Sequence, residues 1–304
     1  MEHDFHNWLQ DHQLLAQPHE SVLIGIGDDC AMLRESNTHT VFTTDTIAEG
    51  THFDSSLHSL EMIGRKALAV NLSDIAAMGA SPTHALLTLL LPRQFSLSDT
   101  KLLVSGMVEL ASRFDVAIIG GDTNKWDGKL VIGATLIGQR SPSISGWRIN
   151  GATLSDRVVV SGSFGGSIKG RHLSFEPRIK LSNYLAERYA INAATDASDS
   201  LSLDLQLLAQ ASQVGVDLLA KQIPISDVLK TADPQAQLDG ALHDGEDFEL
   251  ILTMAPEVFD QIKADPNVPC QLTDIGVVTP KQQGLRILDS HGIFNTLNPR
   301  GYIH

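Results

Sequence analysis

Residues 64–82 read Gly-Arg-Lys-Ala-Leu-Ala-Val-Asn-Leu-Ser-Asp-Ile-Ala-Ala-Met-Gly-Ala-Ser-Pro, and the apolar positions recur at helical spacing. Ala67, Val70, Asp74 and Met78 follow one line, and Leu68, Leu72, Ile75 and Ala76 widen it. This pattern predicts a buried helix that Gly79 stops and Pro82 keeps from resuming. Asp74 breaks the pattern, with Asn71 one turn before it on the same face. A buried carboxylate must be paired, hydrogen-bonded or bound to metal.

Other runs, punctuated by Gly, Pro and Asp, predict strands at 21–26, 40–44, 84–91, 116–119, 130–139, 158–161, 250–253, 271–278 and 285–288. A short amphipathic helix and polar linker are expected over 1–20. Further helices are expected at 98–114 (opening Ser98-x-x-Lys101), 178–189 and 201–214. Alternating strands and helices indicate an α/β or α+β class. The stretch 141–152, rich in Ser, Gly and Pro, marks a boundary between domains at 1–140 and 150–304.

Composition narrows the function. The 304 residues are enough for two domains, with 42% hydrophobic and 19% charged residues. A net charge of -14 argues against a nucleic-acid surface. The start Met-Glu-His-Asp-Phe-His lacks the features of a signal peptide, and the longest apolar run, 85–91, is too short to span a bilayer. Cys30 and Cys270 form no metal or redox motif. A reduced cytoplasmic protein without membrane attachment is expected.

Carboxylates recur at expected strand ends: Asp29, Asp45 and Asp122, and more loosely Asp196 and Asp199. Strand ends are where α/β sheets usually bind ligands. Asp28 and Asp29 are adjacent and point to opposite sides in extended chain, so one of them faces a shared site. Singly, each acid is equally a turn or cap residue. Together with Asp74 they suit Mg²⁺, which takes a few carboxylates and completes its shell with water and phosphate. Such a site fits phosphoryl transfer. The glycine-rich stretch 162–170 lacks the ending of a P-loop and is equally a strand-to-helix turn; no protein-kinase motif set is present.

Several segments resemble one family in order and spacing. They are Gly25-Ile26-Gly27-Asp28-Asp29-Cys30-Ala31, Thr44-Asp45-Thr46, Glu49-Gly50-Thr51-His52-Phe53, the run 66–80, Gly120-Gly121-Asp122-Thr123, Gly245-Glu246-Asp247-Phe248-Glu249-Leu250 and Gly301-Tyr302-Ile303-His304. They resemble the thiamine-monophosphate kinases, within the aminoimidazole ribonucleotide synthetase-like superfamily. The resemblance implies a two-domain fold whose N-terminal sheet forms a barrel with its copy in a homodimer, and a C-terminal α/β domain that completes the active site. It implies direct in-line transfer of the ATP γ-phosphoryl to thiamine monophosphate. It implies Mg²⁺ at Asp29, Thr43, Thr44, Asp45, Asp74, Asp122, Asp196 and Asp199. ATP contacts are implied at Gly121, Asp122, Arg148 and Ser198, and thiamine-phosphate contacts at His52, Glu246 and Tyr302. On residue chemistry alone, Arg148 is also a solvated linker residue, Tyr302 and His52 packing residues, and Glu246 a residue at the start of a strand.

Four features depart from the family pattern. Ser200 stands where Gly is usual, Val104 where an aromatic is common, Asn124-Lys125 where Thr-Arg is common, and the segment after Gly166 is short. These departures leave two alternatives, a nucleotide- or thiamine-phosphate-binding paralogue of low turnover and a sister ATP-dependent enzyme of the superfamily.

Overall fold

The computed structural model describes residues 22–24, 28–34 and 37–302. The helix expected over 1–20, the glycines Gly25 and Gly27, and Ile303 and His304 lie outside them.

The first half runs β1 (Val22–Ile24), β2 (Ala31–Arg34), β3 (His39–Ala48), α1 (Leu60–Ala77), β4 (Ser81–Pro92), α2 (Leu97–Arg113), β5 (Ala117–Trp126) and β6 (Val131–Arg140). Its six strands form one sheet in the order β1-β2-β3-β6-β4-β5. Every pairing is antiparallel except β4 with β5.

The second half runs β7 (Arg157–Ser161), α3 (Arg171–Ser174), α4 (Ile179–Arg188), β8 (Ala193–Asp196), α5 (Leu201–Ala211), β9 (Val214–Leu219), α6 (Pro234–His243), β10 (Leu250–Met254), α7 (Pro256–Ala264), β11 (Leu272–Pro280), β12 (Leu285–Leu288) and β13 (Phe294–Thr296). These seven strands order as β13-β12-β9-β11-β7-β10-β8, with only β9 and β12 parallel. Two mixed sheets with helices packed on them make the class α+β.

Helix α1 joins the halves. It packs on β3 and β6, lies along α2, and meets α3, α4 and β8 of the second half. A helix contacted on all sides needs apolar residues on all sides. From Lys66 to Ala80 every residue is buried except Asp74. Leu68, Leu72 and Ile75 are wholly inaccessible, each worth about 1.5–3 kcal/mol of burial. The helix begins earlier than its periodicity predicts, because Ser59 caps it by accepting from the Met62 amide. It crosses α2 at two glycines. A Cβ on Gly64 would fall 1.9 Å from the Leu103 carbonyl oxygen, and one on Gly106 would fall 1.9 Å from that of Glu61.

Several boundaries differ from the sequence expectation. β3 continues past Asp45 to Ala48, and β5 past Asp122 to Trp126, so both acids are mid-strand rather than at strand ends. The ladders with β6 and β4 carry the strands through, and a carboxylate on a part-exposed face does not interrupt them. α2 starts with a capping box from Ser96 and Asp99, two residues ahead of the expected Ser98-x-x-Lys101 start. β2, α3, β9, α6, α7 and β13 were not anticipated. Among the described residues, no helix is long and apolar enough to cross a membrane.

Candidate active site

A cleft of about 260 Å³ opens between the two halves. Asp45, His52, Lys66 and Asp74 line it from the first half; Ser198, Asp199, Glu246 and Phe248 line it from the second.

One wall is acidic. α1 presents Asp74, whose Oδ2 accepts a hydrogen bond from Thr43 Oγ1 on β3 at 2.5 Å. Two residues along β3, on the same side of the pleat, is Asp45, and its backbone N–H donates to Asn71 Oδ1 at 3.1 Å. Asn71 is therefore a second tether of this strand to the helix. Asp196 ends β8 and accepts from Ser73 Oγ. Asp29 accepts from Thr195 Oγ1 at 3.0 Å, while Asp28 turns the other way and accepts from the Ile149 amide at 3.2 Å. Asp204 on α5 accepts from the amides of Asp199 and Ser200 at 3.1 and 3.0 Å, fixing that turn.

These acids load one another. Burial, then the charges of Asp196 and Asp28, push the Asp29 carboxyl well above its ordinary range. Burial, then Asp45, Asp196 and Asp29, does the same to Asp74. Asp196 is pushed up to about 7, chiefly by burial, and Asp204 is raised by burial, Asp199 and Asp196. Among the described residues, no Lys or Arg pairs with Asp29, Asp74 or Asp196. Asp29 Oδ2 is buried without a hydrogen-bond partner.

This donor set fits a hard divalent cation. It is all oxygen, it is strongly negative, and it holds an orphaned carboxylate oxygen. No group of three His, Cys, Asp or Glu side chains among the described residues is arranged to hold one ion by itself.

The other wall was not legible from sequence in full. Lys66, also on α1, is entirely buried. Its Nζ donates to the His52 carbonyl at 2.8 Å and to Glu246 Oε1 at 2.6 Å, and lies 2.9 Å from His172 Nδ1. Arg65 points elsewhere, to the carbonyls of Leu173 and Phe175, so neither cation neutralises Asp74. His52 Nδ1 accepts from the Ala48 amide at 3.1 Å, which puts the proton of the neutral ring on Nε2. Tyr302 donates through its hydroxyl to the Thr51 carbonyl and through its amide to the Asp199 carbonyl, joining the C-terminal segment to both walls.

The segment 245–248 has unusual backbone. Gly245, Glu246 and Phe248 have φ of 75°, 54° and 51°. A Cβ on Gly245 would meet the Asp199 carbonyl oxygen at 2.2 Å, so only glycine fits. Flanking ion pairs hold the strained turn. Asp247 takes Arg171 Nη2 at 2.5 Å, and Glu249 takes Arg178 Nε at 2.6 Å and Nη2 at 2.5 Å. Phe248 stacks on Phe175 at 4.3 Å between centroids.

Four of the sequence-predicted residues are not brought to the cleft by this chain alone. Thr44 faces the opposite side of β3 and meets the Thr135 hydroxyl at 2.9 Å. Gly121 and Asp122 lie on the exposed edge strand β5. The row Thr46, Gly133, Thr88, Asp122 crosses four strands, a width of about 14 Å. Arg148 lies in the connector between the halves, where its charge acts on Asp28.

Two departures from the family pattern have a physical account. Ser200 has φ 177° and ψ 160°, extended backbone that does not require glycine. It caps α5 by accepting from the Leu203 amide at 3.1 Å and donates to the Arg300 carbonyl at 2.7 Å. Val104, on α2, is partly buried and packs against the apolar core.

The model for the N-terminal domain of AIR synthase related proteins matches residues 27–139 of this chain. Thiamine-monophosphate kinase of Rhodopirellula baltica is 38% identical over 295 residues, covering 93% of this chain and 92% of its own. AaThiL, solved complexed with AMPPCP and TMP, superposes with a TM-score of 0.80 at 29% identity, over 91% of each chain. Thiamine-monophosphate kinase from Stenotrophomonas maltophilia superposes with a TM-score of 0.76 at 32% identity, over 91% of this chain and 96% of its own. The chain belongs to the thiamine-monophosphate kinase family.

Proposed function

We propose that this protein transfers the γ-phosphoryl group of ATP to thiamine monophosphate, forming thiamine diphosphate and ADP. One observation carries the reading: 38% identity to a thiamine-monophosphate kinase across 93% of the chain; an acid-walled cleft between the two halves of the chain fits it. The acceptor is a phosphate oxygen already ionised at neutral pH, so in-line attack needs no strong general base. Positioning and charge neutralisation then supply the acceleration.

Asp29, Asp45, Asp74, Asp196 and Asp199 are the residues we assign to Mg²⁺, with Thr43 orienting Asp74. When bound, the ions offset the charge of the polyphosphate and of the carboxylates themselves. Ser198 and Arg148 are assigned to the nucleotide, and His52, Glu246 and Tyr302 to thiamine phosphate. Residues 1–140 and 150–304 are read as two domains with the cleft between them. Thr44, Gly121 and Asp122 are assigned to a face that a second copy of the chain completes.

The test is incubation of purified protein with ATP, Mg²⁺ and thiamine monophosphate, with separation of the thiamine phosphates. Thiamine diphosphate is expected, and Asp74→Asn is expected to lower kcat by about 10²-fold or more with the fold retained. A folded parent protein that binds both ligands but forms no product overturns the reading.

A further inference from the structure

Lys66 stands on the cleft wall yet exposes none of its surface. An ammonium has three N–H donors. The His52 carbonyl and Glu246 Oε1 take two, and His172 Nδ1, at 2.9 Å, lies in reach of the third. Its side chain is wholly enclosed by these groups, so it offers no donor to a phosphate in the cleft. Its partners are instead the substrate-side groups of both halves: the His52 loop from the first and Glu246 from the second. Glu246 has φ 54°, a backbone that costs free energy unless its surroundings hold it. His172 is 1% exposed, its Nδ1 is also 3.0 Å from Glu246 Oε2, and its ring meets that of His58 edge-on.

We propose that Lys66 is a positioning residue for the phosphoryl acceptor: it holds Glu246 and the His52 loop in one arrangement across the two halves, and His172 holds Lys66. This rests on the assignment of His52 and Glu246 to thiamine phosphate. The acid wall, where the nucleotide and Mg²⁺ are assigned, shares no hydrogen bond with Lys66, so the effect falls on one substrate and not on the other.

The experiment compares Lys66→Met and His172→Phe with the parent and with Leu110→Ala, a core truncation on α2 that lowers stability away from the cleft. His172→Phe keeps the ring against His58 and removes only the nitrogens. Steady-state KM is measured for thiamine monophosphate and for ATP, alongside melting temperature. Lys66→Met is expected to raise the thiamine monophosphate KM about tenfold or more, with the ATP KM changed less than about threefold. His172→Phe is expected to move the same constant in the same direction by a smaller factor, and Leu110→Ala to melt earlier with neither KM changed.

Equal rises in both constants, or no rise, overturn the proposal. If Lys66→Met does not fold, His172→Phe decides by the same criterion. If the parent protein forms no thiamine diphosphate, the kinase reading fails by itself. Calorimetric titration with thiamine monophosphate then decides this inference: parent affinity lost in His172→Phe supports it, and equal affinity or none in either protein overturns it.

Discussion

The carboxylates around Asp74 take up protons more readily in the folded chain than in the unfolded one, because burial and mutual repulsion both disfavour their charged forms. The folded state then binds more protons than the unfolded state between the ordinary carboxylate range and about pH 7 or above, and stability falls as pH rises through that window. Asp247, pushed up to about 6, adds the same sign. His39 and His243, lowered by burial, act oppositely but only below about pH 6.5. Asp265, held at about 2, matters only in strong acid. Without divalent cation the melting temperature should therefore drop between about pH 5 and pH 7. Each carboxylate titrating there contributes about 1.4 kcal/mol per pH unit, or roughly 2–4 °C for domains of this size. Millimolar Mg²⁺ at about pH 7 should restore the loss, since binding to the folded state alone stabilises it. A melting temperature that is flat or rising with pH in chelator refutes this electrostatic account. Asp74 was legible because it violates an apolar stripe. Lys66 was not, because a lysine beside Arg65 near the start of a helix looks like an ordinary solvated charge, and only the tertiary fold shows it enclosed.

At the scale of elements, legibility followed periodicity. The run that became α1 has more than four turns of apolar spacing with Asp74 as its one break, and its assignment survived apart from the N-terminus. β3 and β5 were cut short at Asp45 and Asp122, because an acid after an apolar run looks like a strand end when the neighbouring ladder is unknown. α6 and α7 open with Pro at the first position, a start signal that lies in weakly patterned sequence. Gly64 and Gly106 could not be interpreted before the fold was seen, since glycine in a helix interior is otherwise only a cost. Their meaning is the α1–α2 crossing, where each faces a carbonyl of the other helix. Gly106→Val should force the helices apart and lower stability by about 1–3 kcal/mol, the usual cost of overpacking. Ser105→Val, one position away and exposed, should cost less than about 0.5 kcal/mol. Denaturant midpoints for the two variants check the difference, and equal midpoints would show that the crossing tolerates bulk.

At the scale of the whole molecule, residues of one chain build the acid wall, and the first sheet ends in an open edge. It ends on β5, whose outer edge has no partner strand among the described residues. Nearby surface is apolar: Leu86, Ile119 and Trp126 are 39%, 57% and 39% exposed. Such an edge invites pairing unless another chain covers it. The same strand carries Gly121 and Asp122, about 14 Å across the sheet from the cleft side of β3. Residue chemistry alone had no means of placing these two, since the spacing of Gly-Gly-Asp-Thr says nothing about which copy of the chain its neighbours belong to. If a second copy covers this face, Ile119→Glu should leave the fold of one chain intact, because the residue is largely exposed there, and should place a charge in the interface. Light scattering should then find two chains per particle for the parent protein and one for the variant at equal concentration. The variant's ATP KM should rise by about tenfold, reflecting lost nucleotide contacts, while its unfolding midpoint in dilute solution stays within about 0.5 kcal/mol of the parent. A parent protein that scatters as one chain, or a monomeric variant with unchanged ATP KM, would leave Asp122 outside the reaction.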